Sequence, residues 1–319
     1  MAVYTQVSAE RIAELLSHYD VGKLISAKGI AEGVENSNYL LETDRKHFIL
    51  TLYEKRVDAD DLPFFLKLLD HMAARNQPVP PAIADITGRQ IQSVNGKPAC
   101  LIAFLPGLSP GDPNVAQSRS AGAALGNLHR SLADFADLRP NTLSLPGWHE
   151  LTQRCGDALD DIEPGLGDTV AEELAFLDAN WPSDLPHSAI HADLFPDNVL
   201  MLDDEVTGII DFYFACTDIR AYDLAVTHAA WCFADDGTDF NAKRSAALIA
   251  GYSEQFPLTD AEREALPILA RGAALRFLLT RAWDWLNTPA DALVTRKDPL
   301  AFLRRLEFYR AAGNGPFTS

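Results

Sequence analysis

The sequence predicts an α+β fold with two lobes, a small antiparallel β-rich N-terminal lobe and a larger, mainly helical C-terminal lobe. Residues 22–55 alternate apolar and polar side chains with a period near two, which is typical of strands. Residues 104–114, FLPGLSPGDPN, are dense in Pro and Gly and indicate a connection. Beyond them, apolar residues recur mostly at helical spacing. We therefore expect lobes of residues 1–105 and 106–319.

The chain length and composition are those of an ordinary globular protein. The 319 residues, 47% hydrophobic and 23% charged, suit two lobes around a cleft. A formal net charge of -18 argues against nucleic acid or an anionic membrane as partner, because a polyanion would be repelled. Scattered cysteines, no signal-peptide pattern and no long apolar run predict a reduced cytoplasmic protein.

The first lobe reads as one helix, a sheet and an inserted helix. SAERIAELLSHY has Ser8 as a cap and apolar residues at helical spacing. NYLLET and KHFILTLYE are expected strands joined by the turn TDRK. DADDLPFFLKLLDHMAARN is an amphipathic helix with an acidic start, and short strands follow within residues 84–105.

The second lobe is expected to consist of helices around one hairpin. The helical stretches include SRSAGAALGNLHRSLADF, TVAEELAFLDANW, YDLAVTHAAWCF, AKRSAALIAGYSEQF and ILARGAALRFLLTRAWDWL. Between them VLMLDDEVTGIIDFYF reads as a hairpin with a polar turn.

The segment HADLFPDNVL, residues 191–200, carries the chemistry. Asn198 stands at the start of the predicted hairpin and Asp211 at its far end, so the hairpin brings the two side chains together. An amide oxygen and a carboxylate form a partial shell for Mg²⁺, which takes its other ligands from water and phosphate oxygens. Asp193 is then placed to accept a proton from a hydroxyl that attacks a γ-phosphate. The alternative is an Asx-rich turn in which Asp193 and Asn198 bond local backbone amides.

The spacing matches the protein-kinase pattern H-x-D-L-x-x-x-N followed by D-F. With GVENSNYLL, HFILTLYEKR, PVPPAI, IAFLPG, LGNLHR, GIIDF and RFLLTRAWDW, the chain resembles the aminoglycoside-phosphotransferase and choline-kinase-like family over nearly its whole length. Within that family it is similar to the homoserine-kinase branch. The resemblance implies a protein-kinase-like fold and ATP-dependent phosphorylation of a small-molecule hydroxyl.

The resemblance also implies roles for individual residues. Asp193 resembles the catalytic base, and Asn198 and Asp211 resemble the magnesium ligands. His191 and Asp223 resemble supporting residues. The nucleotide-binding positions implied by the resemblance are Gly33, Asn36, Ser37, Thr51, Lys55 and the interlobe pair Phe104 and Leu105.

One departure from the kinase pattern affects the nucleotide side of the site. Thr51 stands where kinases carry the lysine of V-A-I-K. The nearest lysine on the same strand is Lys55, for which two roles stay open: binding the phosphates, or a solvated charge at the strand end.

The acceptor side must match the charges of its substrate. Homoserine presents an ammonium and a carboxylate, and each is costly to leave unpaired in a closed cleft. Arg276, Arg281 and Asp284 on one predicted helix are candidates, with Tyr213 beside Asp211. The alternative for these charges is a surface ion pair on an amphipathic helix.

The predicted function is ATP-dependent phosphorylation of the hydroxyl of L-homoserine to O-phospho-L-homoserine, a step of threonine biosynthesis. Two alternatives stay open: a kinase of another small alcohol (choline, an aminosugar or a methylthiosugar), or a kinase-like protein that binds nucleotide without catalysis. The intact set of Asp193, Asn198 and Asp211 argues against the second alternative, whereas Thr51 favours it.

Overall fold

The computed structural model describes residues 5–30, 36–54, 58–288 and 296–317. The chain divides into two units. The N-terminal unit comprises Met1–Pro106 together with Gly208–Tyr213, and the C-terminal unit comprises Gly107–Thr207 together with Phe214–Ser319. The segment 208–213 thus belongs with the N-terminal residues, a feature that a single division after residue 105 lacks.

In the ranges that the structure describes, the N-terminal unit contains two α-helices and one antiparallel sheet. Its elements are α1 (Ala9–Leu16), β1 (Leu24–Ile30), β2 (Asn36–Thr43), β3 (His47–Tyr53), α2 (Leu62–Ala73), β4 (Ala82–Ile83), β5 (Ile91–Val94) and β6 (Lys97–Ala103). The strands run in the order β1-β2-β3-β6-β4, and β5 pairs with β6. The predicted strands NYLLET and KHFILTLYE are β2 and β3, paired so that Asn38 lies opposite Thr51.

One face of this sheet is covered by α1. The Ser8 side chain caps the helix by accepting a hydrogen bond from the Arg11 backbone N–H at 3.3 Å. The apolar side of the helix, Ile12, Leu15 and Leu16, packs in one cluster with residues of β2, β3 and β6. Because side chains alternate along a strand, Leu50 and Leu52 face this cluster, whereas Thr51 and Tyr53 point to the other face.

The C-terminal unit is mainly helical. Its elements are α3 (Val115–Ser131), α4 (Leu145–Cys155), α5 (Leu166–Asn180), β7 (His187–Ile190), β8 (Val199–Leu202), β9 (Glu205–Ile209, whose last residues belong to the N-terminal unit), β10 (Cys216–Ile219), α6 (Arg220–Trp231), α7 (Ala242–Gln255), α8 (Asp260–Asn287) and α9 (Leu300–Ala312). β8 and β9 form the predicted two-stranded hairpin, and β7 pairs with β10, which the sequence pattern did not indicate.

Helices α3 and α7 approach each other closely. A Cβ atom added at Gly122 would lie 2.0 Å from the Leu248 carbonyl oxygen, and one at Gly126 would lie 2.7 Å from the Tyr252 carbonyl oxygen. The two glycines are four residues apart, so they share one face of α3. This close approach brings His129 of α3 to Tyr252 of α7, with 2.9 Å between Nδ1 and the phenolic oxygen.

The four cysteines are buried and unpaired, as expected for reduced thiols. In the described ranges, none of the helices combines the length and the apolar character that a membrane crossing requires.

Candidate active site

The loop that follows β7, residues 191–198, carries the predicted base. Its second residue, Ala192, has a φ of 63°, in the left-handed region that a residue with a side chain rarely adopts. The Asp223 carboxylate of α6 accepts hydrogen bonds from the backbone N–H groups of His191 and Ala192, both at 2.7 Å. These bonds to a buried carboxylate hold the turn.

Asp223 is itself held by a buried network. Burial by itself raises the pKa of Asp223, but the hydrogen bond and charge of His129, with those of His191, outweigh it and keep the pKa below its usual value. The His129 Nε2 atom lies 3.0 Å from Asp223, and its Nδ1 contacts Tyr252. The predicted supporting role of Asp223 is therefore consistent with its contacts.

Two further buried side chains hold the carbonyl groups of the loop. An Arg276 Nη1–H donates to the carbonyl oxygen of Ala192. The indole N–H of Trp231 donates to the carbonyl oxygen of Leu194 at 2.9 Å. The Asp193 backbone N–H donates to His191 Nδ1 at 3.2 Å, so that nitrogen of His191 is an unprotonated acceptor.

Asn198 lies beside Asp193 in the same loop. The Asn198 Nδ2 atom donates to the backbone oxygen of Asp193 at 2.8 Å and to its carboxylate Oδ2 at 3.2 Å. Both bonds are made by the amide nitrogen, so they do not use the amide oxygen, which is the atom able to bind a cation. Asn198 is buried and Asp193 is half-buried.

The predicted arginine Arg281 and one lysine lie near this loop. Arg281 Nη1 donates to the Asp298 carbonyl oxygen at 3.1 Å, and its guanidinium lies 4.5 Å from the Phe302 ring centroid. Burial and the nearby charge of Arg305 lower the pKa of Arg281 to about 10, while the carboxylates of Asp298 and Asp193 oppose this. Arg281 is therefore a protonated cation at neutral pH that senses the charge of the predicted base.

Lys297 is a basic residue that the sequence pattern did not single out. Its Nζ lies 3.3 Å from Asp197 Oδ2 and 5.7 Å from the centroid of the Phe195 ring, so it reaches the loop of residues 191–198. Both members of this ion pair are largely exposed. The predicted acid Asp284 lies on α8 one turn after Arg281 and is half-buried. Arg276, in contrast, is only 2% exposed.

Asp211 and Tyr213 belong to the N-terminal unit. Asp211 follows β9 by two residues and has a φ of 65°. Burial and the Asp211 carboxylate raise the pKa of Tyr213, whose ring packs edge-on against those of Tyr53 and Phe65 at 5.5 and 5.9 Å. Tyr213 is therefore a neutral phenol anchored on the same sheet face as Thr51 and Tyr53.

The position of the kinase lysine is occupied by a neutral pair. Thr51 is 4% exposed, and its hydroxyl donates to Asn38 Oδ1 at 2.8 Å. Asn36 accepts a hydrogen bond from the Glu54 backbone N–H at 3.3 Å, and the buried Ser37 hydroxyl donates to the Glu54 carboxylate at 2.7 Å. These three predicted nucleotide-binding residues thus take part in hydrogen bonds inside the N-terminal unit. Gly33 and Lys55 lie outside the described residues.

Glu54 forms an ion pair that the sequence pattern did not indicate. The Lys97 ammonium contacts the Glu54 carboxylate and lies 2.6 Å from the Thr5 hydroxyl. Register places Leu52 opposite Ala99, so Glu54 and Lys97 extend the sheet face that α1 covers. A cross-strand pair of Glu and Lys at the ends of two predicted strands could have indicated it.

The two predicted connection residues differ in exposure. Phe104 is 42% exposed, and its ring lies 5.6 Å from that of His47. Leu105 is half-buried. Phe104 is therefore an exposed aromatic residue directly after β6, and an aromatic face of this kind can pack on a planar base.

Asn198 and Asp211 carry the oxygen donors that suit magnesium. Among the described residues, no three His, Cys, Asp or Glu side chains are grouped as a metal site. Asn198 directly precedes β8, and Asp211 follows its partner β9. An amide oxygen and a carboxylate are hard ligands, and Mg²⁺ commonly takes only one or two such groups when substrate phosphates supply the others.

Residues 26–287 match the model of the phosphotransferase enzyme family. The chain belongs to this family. The resemblance drawn from the loop and hairpin motifs is thereby confirmed. Curated relatives of this phosphotransferase include the homoserine kinases of Zymomonas mobilis and Xanthobacter autotrophicus. They are 57% and 53% identical to it, covering 98% of this chain in both cases and 98% and 97% of their own lengths.

Solved structures confirm the fold of this phosphotransferase. A spectinomycin phosphotransferase in complex with ADP and its antibiotic has a TM-score of 0.72 at 15% identity, with 97% of this chain and all of that chain covered. A choline kinase from Cryptosporidium parvum has a TM-score of 0.68 at 15% identity, with 95% and 94% covered. The predicted α+β, protein-kinase-like fold is confirmed by these similarities.

Proposed function

We propose that this phosphotransferase transfers the γ-phosphoryl group of ATP to the hydroxyl of L-homoserine and forms O-phospho-L-homoserine. The observation that carries the proposal is the identity of 57% over 314 residues with a protein named homoserine kinase. The product is an activated alcohol that a later elimination or displacement can use, which agrees with a place in threonine biosynthesis.

Asp193 is the proposed base. The Asn198 amide holds its Oδ2, and Asp223 and Arg276 fix the backbone on its N-terminal side, so the carboxylate is pre-oriented before the acceptor binds. In the reaction Asp193 accepts the proton of the acceptor hydroxyl as the oxygen attacks phosphorus, and the bond from the γ-phosphorus to the bridging oxygen breaks.

Asn198 and Asp211 are the proposed magnesium ligands, with the Asn198 oxygen and the Asp211 carboxylate as the binding groups. The pairing of β8 with β9 supports this assignment, because the two residues flank the open end of one hairpin. When bound, magnesium neutralises the phosphate oxygens as charge develops on them.

The adenine is proposed to contact the backbone at Phe104 and Leu105, and the phosphates to lie against the segment from Gly33 to Ser37. Since a neutral Thr51 and Asn38 pair replaces the kinase lysine, Lys55 remains the proposed cation for the phosphates.

The acceptor is proposed to be recognised by charge. Arg281 is assigned to the homoserine carboxylate and Asp284 to its ammonium, with Tyr213 lining the acceptor pocket. The packing around Arg281 supports this, because its guanidinium lies 4.5 Å from the centroid of the Phe302 ring, which is itself 6.1 Å from that of Phe195 in the loop that carries Asp193. The same cation disfavours choline: Arg281 already lies against the Phe302 ring, and a quaternary ammonium needs an aromatic face without a competing cation.

A coupled ADP-release assay over a panel of acceptors tests the proposal. The panel is L-homoserine, 3-aminopropan-1-ol, 4-hydroxybutanoate, choline, an aminosugar and 5-methylthioribose, each with and without excess EDTA. We expect kcat/KM for homoserine to exceed the others by at least about tenfold, since each lost charge pair costs roughly 1.5–3 kcal/mol. Loss of activity with EDTA should be reversed by magnesium.

Asp193→Asn is the matched variant for the base. It keeps the size of the side chain and should lower kcat by at least about 100-fold while the thermal midpoint stays near that of the parent protein. If the acceptor panel shows a preference for choline or a sugar, the enzyme is a kinase of that alcohol instead. If no acceptor leads to ADP release, the protein binds nucleotide without catalysis.

A further inference from the structure

Arg276 is a charged residue buried in the interior of the C-terminal unit. It lies in the middle of α8 and is 2% exposed, and its guanidinium lies 4.6 Å from the Phe277 ring centroid and 5.6 Å from that of Phe214. Its hydrogen bond goes to a backbone carbonyl, that of Ala192. Burying a guanidinium is costly, so this contact must serve the fold or the site.

The carbonyl that Arg276 holds belongs to the peptide joining Ala192 to Asp193. The N–H of the same peptide donates to His191 Nδ1 at 3.2 Å, so the peptide is held at both ends. One residue earlier, the Ala192 N–H is bound by Asp223 at 2.7 Å. Ala192, which has an unfavourable φ, is therefore held by a buried anion at its N–H and by a buried cation at its carbonyl.

We infer that Arg276 is a positioning residue, which fixes the direction of Asp193 by holding the carbonyl of Ala192, and that Arg281 rather than Arg276 faces the acceptor. Rotation of that peptide would swing the Cα–Cβ bond of Asp193, and displacement of a base by about 1 Å can cost on the order of 100-fold in rate. The inference rests on the proposed function only in taking Asp193 as the base.

The test compares Arg276→Met, Arg276→Lys and the control Arg305→Met. Arg305 is also buried and donates to the backbone carbonyls of Ala229, Ala234 and Ala301, outside the catalytic loop. Steady-state kinetics are measured with homoserine and with 3-aminopropan-1-ol, which is homoserine without its carboxylate, at a temperature where circular dichroism shows every variant folded.

We expect Arg276→Met to lower kcat by about 100-fold with both acceptors, with the KM values for ATP and acceptor changed less than about threefold. Arg276→Lys keeps one donor and should recover at least about tenfold of that loss. With 3-aminopropan-1-ol, which lacks the carboxylate assigned to Arg281, Arg305→Met should keep its kcat within about threefold of the parent value even where its thermal midpoint falls.

Three outcomes would overturn the inference. A rise in KM for homoserine alone would make Arg276 an acceptor ligand. Equal kcat losses in Arg276→Met and Arg305→Met would indicate general destabilisation, and the absence of recovery in Arg276→Lys would remove the donor from the explanation. Equal losses with 3-aminopropan-1-ol or any other active acceptor support the inference even where homoserine is not phosphorylated, so its failure is separable from that of the proposed function.

Discussion

Replacing Gly122 by alanine should destabilise the C-terminal unit, although alanine is the better helix former. Gly122 lies inside α3 at the closest approach to α7, where an added Cβ would stand 2.0 Å from the Leu248 carbonyl oxygen. That oxygen is backbone, so it cannot rotate away as a side chain can. One helix must therefore move or bend to admit a single methyl group.

The size of the effect follows from this distance. A carbon–oxygen contact of about 3.3 Å requires the helices to separate by roughly 1.3 Å at this point, and a gap of 0.5–1 Å already forfeits about a quarter to a half of each dispersion contact. Alanine regains about 1 kcal/mol of helix propensity. Because Gly126 and Gly251 share the interface, we expect a net loss of about 2–4 kcal/mol in the free energy of unfolding.

Thermal unfolding followed by circular dichroism measures this loss, which should lower the Tm by roughly 5–10 °C. Gly167→Ala is the matched control: Gly167 also lies in a helix, α5, but the nearest heavy atom to its added Cβ would be the Asp160 carboxylate at 3.3 Å. The control should be neutral or stabilising by up to about 1 kcal/mol. A Gly122→Ala variant as stable as the control would refute the close-packing explanation.

Three further outcomes are expected. Asp223→Asn places an NH₂ group against a backbone N–H, so kcat should fall by at least about 100-fold and the Tm should drop. Unchanged kinetics would show that Asp223 is not needed to hold the loop. The Arg271 guanidinium donates to both carboxylate oxygens of Glu173, at 2.6 and 2.7 Å, and Glu173→Ala removes this partner. The free energy of unfolding measured with denaturant should fall by about 3–5 kcal/mol, and a loss below about 1 kcal/mol would contradict this. Burial lowers the pKa of His228 to about 3, below its unfolded value near 6.5. The neutral imidazole therefore contributes its full stabilisation above pH 6.5, and this contribution declines as the pH falls toward 3. In urea titrations over this pH range, the free energy of unfolding of His228→Gln should depend on pH less steeply than that of the parent protein, by up to about 1.4 kcal/mol per pH unit.

The fold and the loop of residues 191–198 could be predicted from the sequence because both depend on short-range patterns. Alternation in β2 and β3, the polar turn of the β8–β9 hairpin and the five-residue spacing of Asp193 and Asn198 are each visible within a few positions of the chain. The Asn198 to Asp193 hydrogen bonds lie inside such a segment. Patterns of this kind also identify a family, since they recur wherever the same local structure is used.

The roles of the basic residues could not be predicted in this way. The sequence makes both Arg276 and Arg281 acceptor candidates on one predicted helix, yet Arg276 is buried against the loop and Arg281 retains partial exposure. Lys297 reaches Asp197 from 100 positions away. The separation of these partners along the chain leaves no local trace, so neither residue could be given its partner from the sequence.

The amino-acid order alone therefore determined that this chain has an α+β kinase-like architecture and an Asp193-centred loop with an amide and a second acid on one hairpin. Which cation supports that loop, how closely α3 and α7 pack at Gly122, and why Ala192 keeps its left-handed backbone were decided only in three dimensions. The bond from Arg276 to Ala192 joins residues 84 positions apart. Contacts of that range exist only after distant segments have packed together, whereas strand and turn preferences act between neighbours.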